Sequence, residues 1–335
     1  MTTDTTDATD TVDATSPRNA PFAASRRERA QSLSGRVESR RFGTAVGPVR
    51  HVAEDRDRLA AMRWEHFDVK QLGATIGAEL HGVDLSGDLD DDTIAEIRAA
   101  LCAYKVIFFC DQFLTTEQHV AFARRFGELE VHPFIPANDE FPELVHLAKG
   151  PEMAGYENGW HSDVSWRIVP SMGAVLRAVE VPASGGDTLF ADMCAAYDGL
   201  DDEMKERIAD MYAIHDYMFV FGRFVPEDKR EETRAQFPPA RHPVVRTHPE
   251  TGRKILYVNR GFVDYIEGFE REESDALLQA LASQAELPEY QCRFHWEPGS
   301  IAFWDNRAVQ HYAASDYFPN RRVMERASII GDRPI

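Results

Sequence analysis

The segment ENGWHSDVSW, residues 157–166, places a histidine and a carboxylate one residue apart, between two tryptophans. On an extended strand, side chains at i and i+2 point to the same face, so His161 and Asp163 can reach one point while Ser162 faces away. A neutral imidazole and a carboxylate suit a divalent iron or manganese ion. The spacing also fits an ordinary polar surface strand. The pair therefore indicates half of a metal site, whose other half must come from elsewhere in the chain.

A distant histidine can complete this site. The segment SIAFWDNRAVQHY, residues 300–312, reads as an apolar strand and a polar turn followed by His311. Two histidines and one carboxylate leave coordination positions open, which is typical of non-haem iron oxygenases. A closed structural zinc site would need a fourth ligand, usually a cysteine. The four cysteines are scattered, with no CxxC pair: Cys102, Cys110, Cys194 and Cys292.

The open positions call for a co-substrate that chelates the metal and supplies electrons, and 2-oxoglutarate does both. Its remote carboxylate needs a cation, and the predicted strand RRVMERASII, residues 321–330, offers Arg322 and Arg326 on one face. Glu325 lies on the opposite face by alternation. Two inward arginines without a carboxylate neighbour are costly unless anions fill the site. The pattern therefore predicts two anionic groups, one on 2-oxoglutarate and one on a small substrate.

Composition and charge exclude several other classes of protein. The formal net charge of −19 over 335 residues disfavours binding to nucleic acid. The chain has no uninterrupted apolar run of about 18 residues, so we expect no membrane span. The scattered cysteines and the acidic start without an apolar signal region predict a cytoplasmic protein. The oligomeric state stays open, with a homo-oligomer as one possibility.

The distribution of apolar residues predicts two regions. Residues 1–60 begin with a Thr/Asp/Ala tract and continue with an arginine-bearing stretch, so we expect a disordered tail there and one folded domain at 61–335. Short strands and turns dominate after residue 140, which favours a mainly β domain with flanking helices. The patterns predict helices at 90–104, 115–129, 201–217 and 271–284, and strands at 105–111, 300–306 and 321–330.

Several segments of the chain resemble those of one known family and occur in the same order as in that family. From about residue 66 to the end, the chain resembles the Fe(II)/2-oxoglutarate-dependent taurine dioxygenase family, which includes alkylsulfatases and phenoxyalkanoate dioxygenases. The resemblance implies a double-stranded β-helix, a cupin-like jelly roll with helices packed outside. The matching segments are WHSDVSW, GGDTLFADM, HPVVRTHPETG, VNRGFVDYI, WDNRAVQHYAASDY and RRVMERASIIGDRP.

The resemblance also implies a role for individual residues. Iron would be bound by His161, Asp163 and His311, and the remote carboxylate of 2-oxoglutarate by Thr188 and Arg322. The substrate would be contacted by Arg326, His132, Val164, Phe262 and Asn158. Two positions depart from the taurine enzymes: Ile135 stands where they have tyrosine, and Glu157 where they have asparagine.

The implied reaction is an O2-dependent hydroxylation that converts 2-oxoglutarate to succinate and CO2. We expect the substrate to be a taurine-like sulfonate, whose hydroxylation releases sulfite and leaves an aldehyde. The two departures keep other members of the family open, namely an alkylsulfatase, a phenoxyalkanoate dioxygenase and an amino-acid tailoring hydroxylase. A cupin-like binding protein without activity is an alternative from another class, and iron-dependent succinate formation would exclude it.

Overall fold

The computed structural model describes residues 37–38, 45–46, 49–133, 137–138 and 140–335, so Ile135 lies outside the described residues. The compact unit treated below spans His51–Ile335. By themselves, β1 (Val37–Glu38) and β2 (Ala45–Val46) form an antiparallel pair. The other strands are β3 (Asp68–Gln71), β4 (Ala78–His81), β5 (Val106–Phe109), β6 (Leu144–Lys149), β7 (Ser171–Glu180), β8 (Thr188–Asp192), β9 (Tyr212–His215), β10 (Ala240–Pro243), β11 (Val245–Thr247), β12 (Lys254–Leu256), β13 (Val263–Ile266), β14 (Gln291–Phe294), β15 (Ile301–Asp305), β16 (Val309–Ala313) and β17 (Arg322–Ile330).

Side-chain caps define where several helices begin. Asp90 accepts a hydrogen bond from the Thr93 amide, and Thr115 and Gln118 form a reciprocal capping box, so both helices start where free amides find partners. Across the described residues, no helix is both long and apolar enough to cross a membrane. The helices are α1 (Arg50–Ala61), α2 (Asp91–Tyr104), α3 (Thr116–Arg124), α4 (Met193–Asp198), α5 (Asp202–Ile208), α6 (Tyr217–Phe221), α7 (Arg230–Gln236) and α8 (Arg271–Ala282).

Two sheets build the main body of the fold. The larger has the strand order β3-β4-β5-β15-β7-β17-β6, in which neighbours run antiparallel except for β4 and β5. The smaller has the order β14-β8-β16 and is antiparallel throughout. This arrangement is the expected jelly roll, mainly β with flanking helices. Additional small sheets are formed by β10-β9-β13 and β11-β12.

The large sheet is buried on both faces, and alternation assigns its side chains. Val106 and Phe108 of β5 point to the smaller sheet, where Phe108 stacks on Phe294 with ring centroids 4.0 Å apart. Ile107 and Phe109 point the other way. We call the cluster between the two sheets the inner core; its residues are Ile76, Val106, Phe108, Ala174, Leu176, Ala178, Phe190, Cys292, Phe294, Trp296, Ala302, Trp304, Val309 and Met324.

The outer face of the large sheet packs on helices α2 and α3. Ile97 and Leu101 of α2 are almost completely buried there, as the helical spacing predicts. Phe122 of α3 contacts the rings of Phe109 and Phe303 edge-on. The helices therefore hold the sheet from outside and leave its inner face to the site.

The structure corrects two details of the sequence predictions. The predicted helix 201–217 ends at Ile208, and Tyr212–His215 is a strand, because its residues alternate between partly and fully buried positions between β10 and β13. Helix α1 begins within the predicted tail 1–60 and buries Val52 and Leu59, so the folded part starts before residue 61. Residues 1–48 of the predicted tail, apart from β1 and β2, lie outside the described residues.

Candidate metal centre and substrate pocket

The three predicted metal ligands meet at one point. The backbones of His161 and His311 form an isolated antiparallel bridge, with N···O distances of 3.1 Å and 2.8 Å. Asp163 Oδ1 lies 3.8 Å from His161 Nε2, and Asp163 Oδ2 lies 3.9 Å from His311 Nε2. One ligand atom from each residue lies within 4.8 Å of the others. This spacing is compatible with one ion held by all three side chains.

The local structure around the HxD segment differs from the regular strand predicted. His161 is in the bridge, whereas Asp163 begins a turn in which the Arg167 amide donates to the Val164 carbonyl over 2.9 Å. Ser162 faces away, as expected, and its hydroxyl donates to the Val309 carbonyl over 2.8 Å. The two ligands therefore converge because a bridge meets a turn.

The protonation of the ligands suits a divalent cation. His161 Nδ1 lies 2.7 Å from the Gly159 carbonyl, which can only accept, so Nδ1 donates there and Nε2 is the ring nitrogen that faces Asp163. Burial, together with the neighbouring His161 and Arg326, lowers the pKa of His311 to about 3, which keeps its ring neutral. Neutral imidazoles and a carboxylate form a donor set for iron or manganese.

Asn306 fixes the backbone of the carboxylate ligand, and sequence reasoning missed it. Its Oδ1 accepts from the Asp163 amide over 2.7 Å, and its Nδ2 donates to the carbonyls of Asp163 and Ser171 over 2.9 Å and 3.1 Å. Asn306 is 1% exposed, so these hydrogen bonds are shielded from solvent. The available signal was its position in the WDNR segment, at the turn that precedes His311.

Arg326 lies beside the metal ligands and forms a buried ion pair. Its Nη1 is 2.9 Å from each carboxylate oxygen of Asp163. Burial raises the pKa of Asp163, but Arg326 and the neighbouring histidines outweigh it and bring the pKa to about 2. The expectation that both arginines lack a carboxylate neighbour is therefore wrong for Arg326, because the turn places Asp163 against it. Glu325 points away and pairs with Arg177, as alternation predicts.

Arg322 has no such partner. Its guanidinium is buried, and Nε and Nη2 find no hydrogen-bond partner within the described part of the chain. Burial lowers its pKa from the usual arginine value. A Cβ at Gly186 would lie 3.1 Å from Cδ of Arg322, and Gly186 has a left-handed φ of +73°, so glycine makes room for this side chain. A buried guanidinium with free donors is a site for an anion.

Thr188 lies at the start of β8 and lines the same pocket as Arg322. Its Oγ1 accepts the indole N–H of Trp296 over 2.9 Å, so the hydroxyl proton remains available for an acceptor in the pocket. Thr188 and Arg322 therefore both present donors to this pocket. We call this the co-substrate pocket; its walls include Lys149, Glu157, His161, Thr188, Phe190, Trp304, His311, Tyr317, Arg322 and Arg326.

The predicted substrate-contact residues fall into two groups. Burial is the main cause that lowers the pKa of His132 to about 3, and the charges of Arg326 and Arg167 lower it further. The charge of Asp163 acts in the opposite direction. Val164 is buried with an unusual φ of +44° directly after Asp163. In contrast, Asn158 is exposed and does not line the pocket, which Glu157 lines instead.

A second pocket adjoins the metal ligands. Phe262 stands edge-on to the His161 ring, with centroids 6.1 Å apart, and contacts Phe221 at 6.0 Å. His161 and Glu157 line this pocket as well as the first, so the two are neighbours. We call it the apolar pocket; its walls are Tyr156, Glu157, Gly159, Trp160, His161, Val220, Phe221, Arg260, Gly261 and Phe262.

Another cluster has metal-ligand residue types but a different use. Cys102, His248 and Asp305 also lie within 4.8 Å of one another. His248 Nε2 donates to Asp305 over 2.9 Å, and its Nδ1 accepts the amides of Glu250 and Thr251. Both ring nitrogens are occupied, and burial raises the pKa of the Cys102 thiol to about 12. We therefore assign this cluster a structural role.

Comparison with known proteins agrees with the geometry. The chain is 37% identical over 279 residues to the alpha-ketoglutarate-dependent sulfate ester dioxygenase of Pseudomonas putida, covering 80% of this chain and 91% of that protein. It is 36% identical over 282 residues to the (S)-phenoxypropionate/alpha-ketoglutarate-dioxygenase of Sphingobium herbicidovorans, covering 79% and 96%. A crystal structure of a taurine dioxygenase from Burkholderia xenovorans superposes with a TM-score of 0.71 at 39% identity, covering 81% of this chain and 91% of the other.

The family model of the taurine catabolism dioxygenases TauD and TfdA matches residues 68–328, a range that contains the three candidate ligands and both arginines. Alpha-ketoglutarate is 2-oxoglutarate, so the co-substrate expected from the sequence agrees with the names of these relatives. The chain belongs to the TauD/TfdA family of 2-oxoglutarate-dependent dioxygenases.

Proposed function

We propose that the chain holds Fe(II) on His161, Asp163 and His311 and hydroxylates a small organic anion, in the first place a taurine-like sulfonate. One observation supports this above all. The three converging donors share a pocket with the buried guanidinium of Arg322, whose Nε and Nη2 lack a partner among the described residues. Metal and 2-oxoglutarate can therefore be bound side by side.

The protein's part in this reaction is binding, orientation and exclusion of water. Bound Fe(II), 2-oxoglutarate and O2 together supply the oxidising chemistry that hydroxylates a substrate carbon. Arg322 and the Thr188 hydroxyl would bind the remote carboxylate of 2-oxoglutarate, because both present hydrogen-bond donors to the co-substrate pocket. The buried walls Phe190 and Trp304 keep water from the ligands.

The anionic head of the prime substrate would be bound at Arg326. Its Nη1 contacts Asp163, whereas its Nε has no hydrogen-bond partner within the described ranges. His132 lies within the field of the same charges and would lie near this anionic head. A sulfonate held here would place its α-carbon near the metal ligands, and hydroxylation of that carbon releases sulfite and leaves an aldehyde.

A sulfate ester or an aryloxy acid is the second candidate. The apolar pocket beside His161 offers aromatic side chains from Trp160, Phe221 and Phe262, which suit a larger apolar group than that of taurine. The similarity to a sulfate ester dioxygenase and to a phenoxypropionate dioxygenase points the same way.

Product analysis tests the proposal. The Fe(II)-loaded protein is given 2-oxoglutarate, O2 and a panel of alkanesulfonates, alkyl sulfates and aryloxy acids. We expect succinate in stoichiometric yield with aldehyde and sulfite, aldehyde and sulfate, or a phenol, according to the class accepted. H311Q should form no succinate. If no anion in the panel raises succinate formation above the substrate-free rate, the proposed function is wrong.

A further inference from the structure

Lys149 occupies an unexpected position in the co-substrate pocket. It ends β6 and is registered directly opposite Arg322 of β17, so the two side chains share a face of the sheet. Its side chain is only 8% exposed, and Nζ lies 2.8 Å from Glu157 Oε1. The ammonium also lies over the Tyr156 ring, 4.0 Å from its centroid. The cation is therefore held in place by a carboxylate and an aromatic face.

This contact determines what Glu157 can do. By charge alone, the Glu157 carboxylate could pair with the ammonium of an amine substrate. In the structure its carboxylate is already neutralised by Lys149 and accepts the Tyr156 amide over 2.9 Å. A substrate ammonium would have to displace Lys149 and would meet its positive charge in a partly buried site. The Lys149–Glu157 ion pair therefore disfavours the binding of a cationic substrate group at this position.

The neighbouring space favours the opposite kind of group. Glu157 and His161 line both the co-substrate pocket and the apolar pocket, and the apolar pocket is also lined by Val220, Phe221 and Phe262. The charged Arg260 at that pocket is paired with Glu286. An uncharged chain extending from the metal centre would contact aliphatic and aromatic surface there.

We propose that Lys149 is a specificity-determining residue: by neutralising Glu157 it excludes substrates with a cationic amine and selects anions whose uncharged, apolar tail lies in the apolar pocket. This inference rests on the proposed function and specifies its substrate class. It separates taurine, which bears an ammonium, from sulfonates of similar size that do not.

Propane-1-sulfonate and taurine form a matched pair, because a methyl group replaces the ammonium. Their dissociation constants for the anaerobic metal–2-oxoglutarate complex can be measured by calorimetry and by the shift of its visible band. We expect the wild type to bind propane-1-sulfonate about ten-fold more tightly than taurine. Hexane-1-sulfonate should bind more tightly again, by about three-fold for each added methylene. Equal or tighter binding of taurine would overturn the inference, whatever the variants show.

Substitutions then assign the effect to the ion pair. K149M frees the Glu157 carboxylate, so the preference should move towards taurine by about ten-fold. K149R keeps the positive charge and should keep the wild-type preference. K149M/E157Q has no carboxylate at position 157, so it should not show the increased preference for taurine expected of K149M. An unchanged preference in K149M would refute the role of Lys149. Thermal unfolding and far-UV circular dichroism verify that each variant is folded.

The tail position has its own control on helix α6. Phe221 lines the apolar pocket, whereas Phe219 on the same helix is 53% exposed and does not line it. F221A should weaken the binding of hexane-1-sulfonate by about five-fold, and F219A should leave its dissociation constant unchanged. Equal effects would overturn the tail assignment. If sulfonates bind and yield succinate without these preferences, only this inference fails; if no anion yields succinate, the proposed function fails.

Discussion

Arg326 places one guanidinium nitrogen 2.9 Å from both carboxylate oxygens of Asp163, so a buried cation shares its partner with the candidate metal centre. Both side chains are about one-tenth exposed, at 10% and 9%. Without metal, Arg326 neutralises Asp163; with metal, the ion supplies positive charge to the same carboxylate. The pair therefore stabilises the metal-free site and leaves Arg326 ready for an anion.

Removing Arg326 should destabilise the metal-free protein more than the metal-loaded protein. In R326Q the buried carboxylate of Asp163 loses its counter-charge, which should cost about 3 kcal/mol in the free energy of unfolding. Saturating Mn(II) should recover most of this loss. Urea unfolding with and without Mn(II) measures both values. R321Q is the matched control, because Arg321 pairs with Glu180 at an exposed position and should change stability by less than about 0.5 kcal/mol. Equal losses with and without Mn(II) would contradict this account.

Asn306 should affect metal affinity although it does not contact the metal position. N306A removes the bonds that hold the Asp163 backbone, and we expect Mn(II) to bind about 10- to 100-fold more weakly. N306D keeps the acceptor for the Asp163 amide but loses both donations, so it should also bind weakly. Calorimetric titration gives the dissociation constants. Wild-type affinity in N306D would show that the donated bonds are dispensable.

The Thr188 hydroxyl should be needed for 2-oxoglutarate affinity. T188V loses the hydrogen that the Trp296 contact leaves available, and its dissociation constant for 2-oxoglutarate should rise about five-fold. T188S retains the hydroxyl and should stay within about two-fold of the wild type. Titration of the metal-loaded protein with 2-oxoglutarate measures both. A normal affinity in T188V would assign Thr188 a purely structural role.

His119 makes the protein less stable as the pH falls. It is completely buried, its Nε2 lies 3.0 Å from the Val175 carbonyl, and burial lowers its pKa from 6.5 to about 4. Between these values the unfolded chain binds a proton that the folded chain does not, so stability decreases as the pH falls through this window. From pH 7 to pH 5, H119Q should lose about 2 kcal/mol less than the wild type. Parallel losses in urea unfolding would show that His119 does not contribute.

The sequence was informative wherever local pattern and chemistry agreed. Alternation along β17 correctly placed Arg322 and Arg326 on one face and Glu325 on the other. The strand–turn–His311 pattern was also found, as β15 followed by β16. In both cases the side-chain direction depends on strand periodicity alone, which a single sequence shows.

The remaining features depend on contacts between distant segments. No local pattern indicates the ion pair of Arg326 with Asp163 or that of Lys149 with Glu157. Nor does one indicate that Asn306 binds the backbone of Asp163. The HxD segment was predicted as a strand because its period fits one, but tertiary pairing with His311 leaves only a bridge and a turn. The resemblance implied a substrate contact for Asn158, whereas the structure places the neighbouring Glu157 in the pocket.

The most direct test of the central claim is the visible absorption of the anaerobic Fe(II)-loaded protein during titration with 2-oxoglutarate. If His161, Asp163 and His311 hold iron beside Arg322, a charge-transfer band should develop and saturate at one 2-oxoglutarate per chain. H81Q should behave like the wild type, because His81 is half-exposed, pairs with Glu79 on β4 and lines neither pocket. H311Q should give no band. A wild-type protein without a band at saturating 2-oxoglutarate, or an H311Q protein with one, would contradict the account.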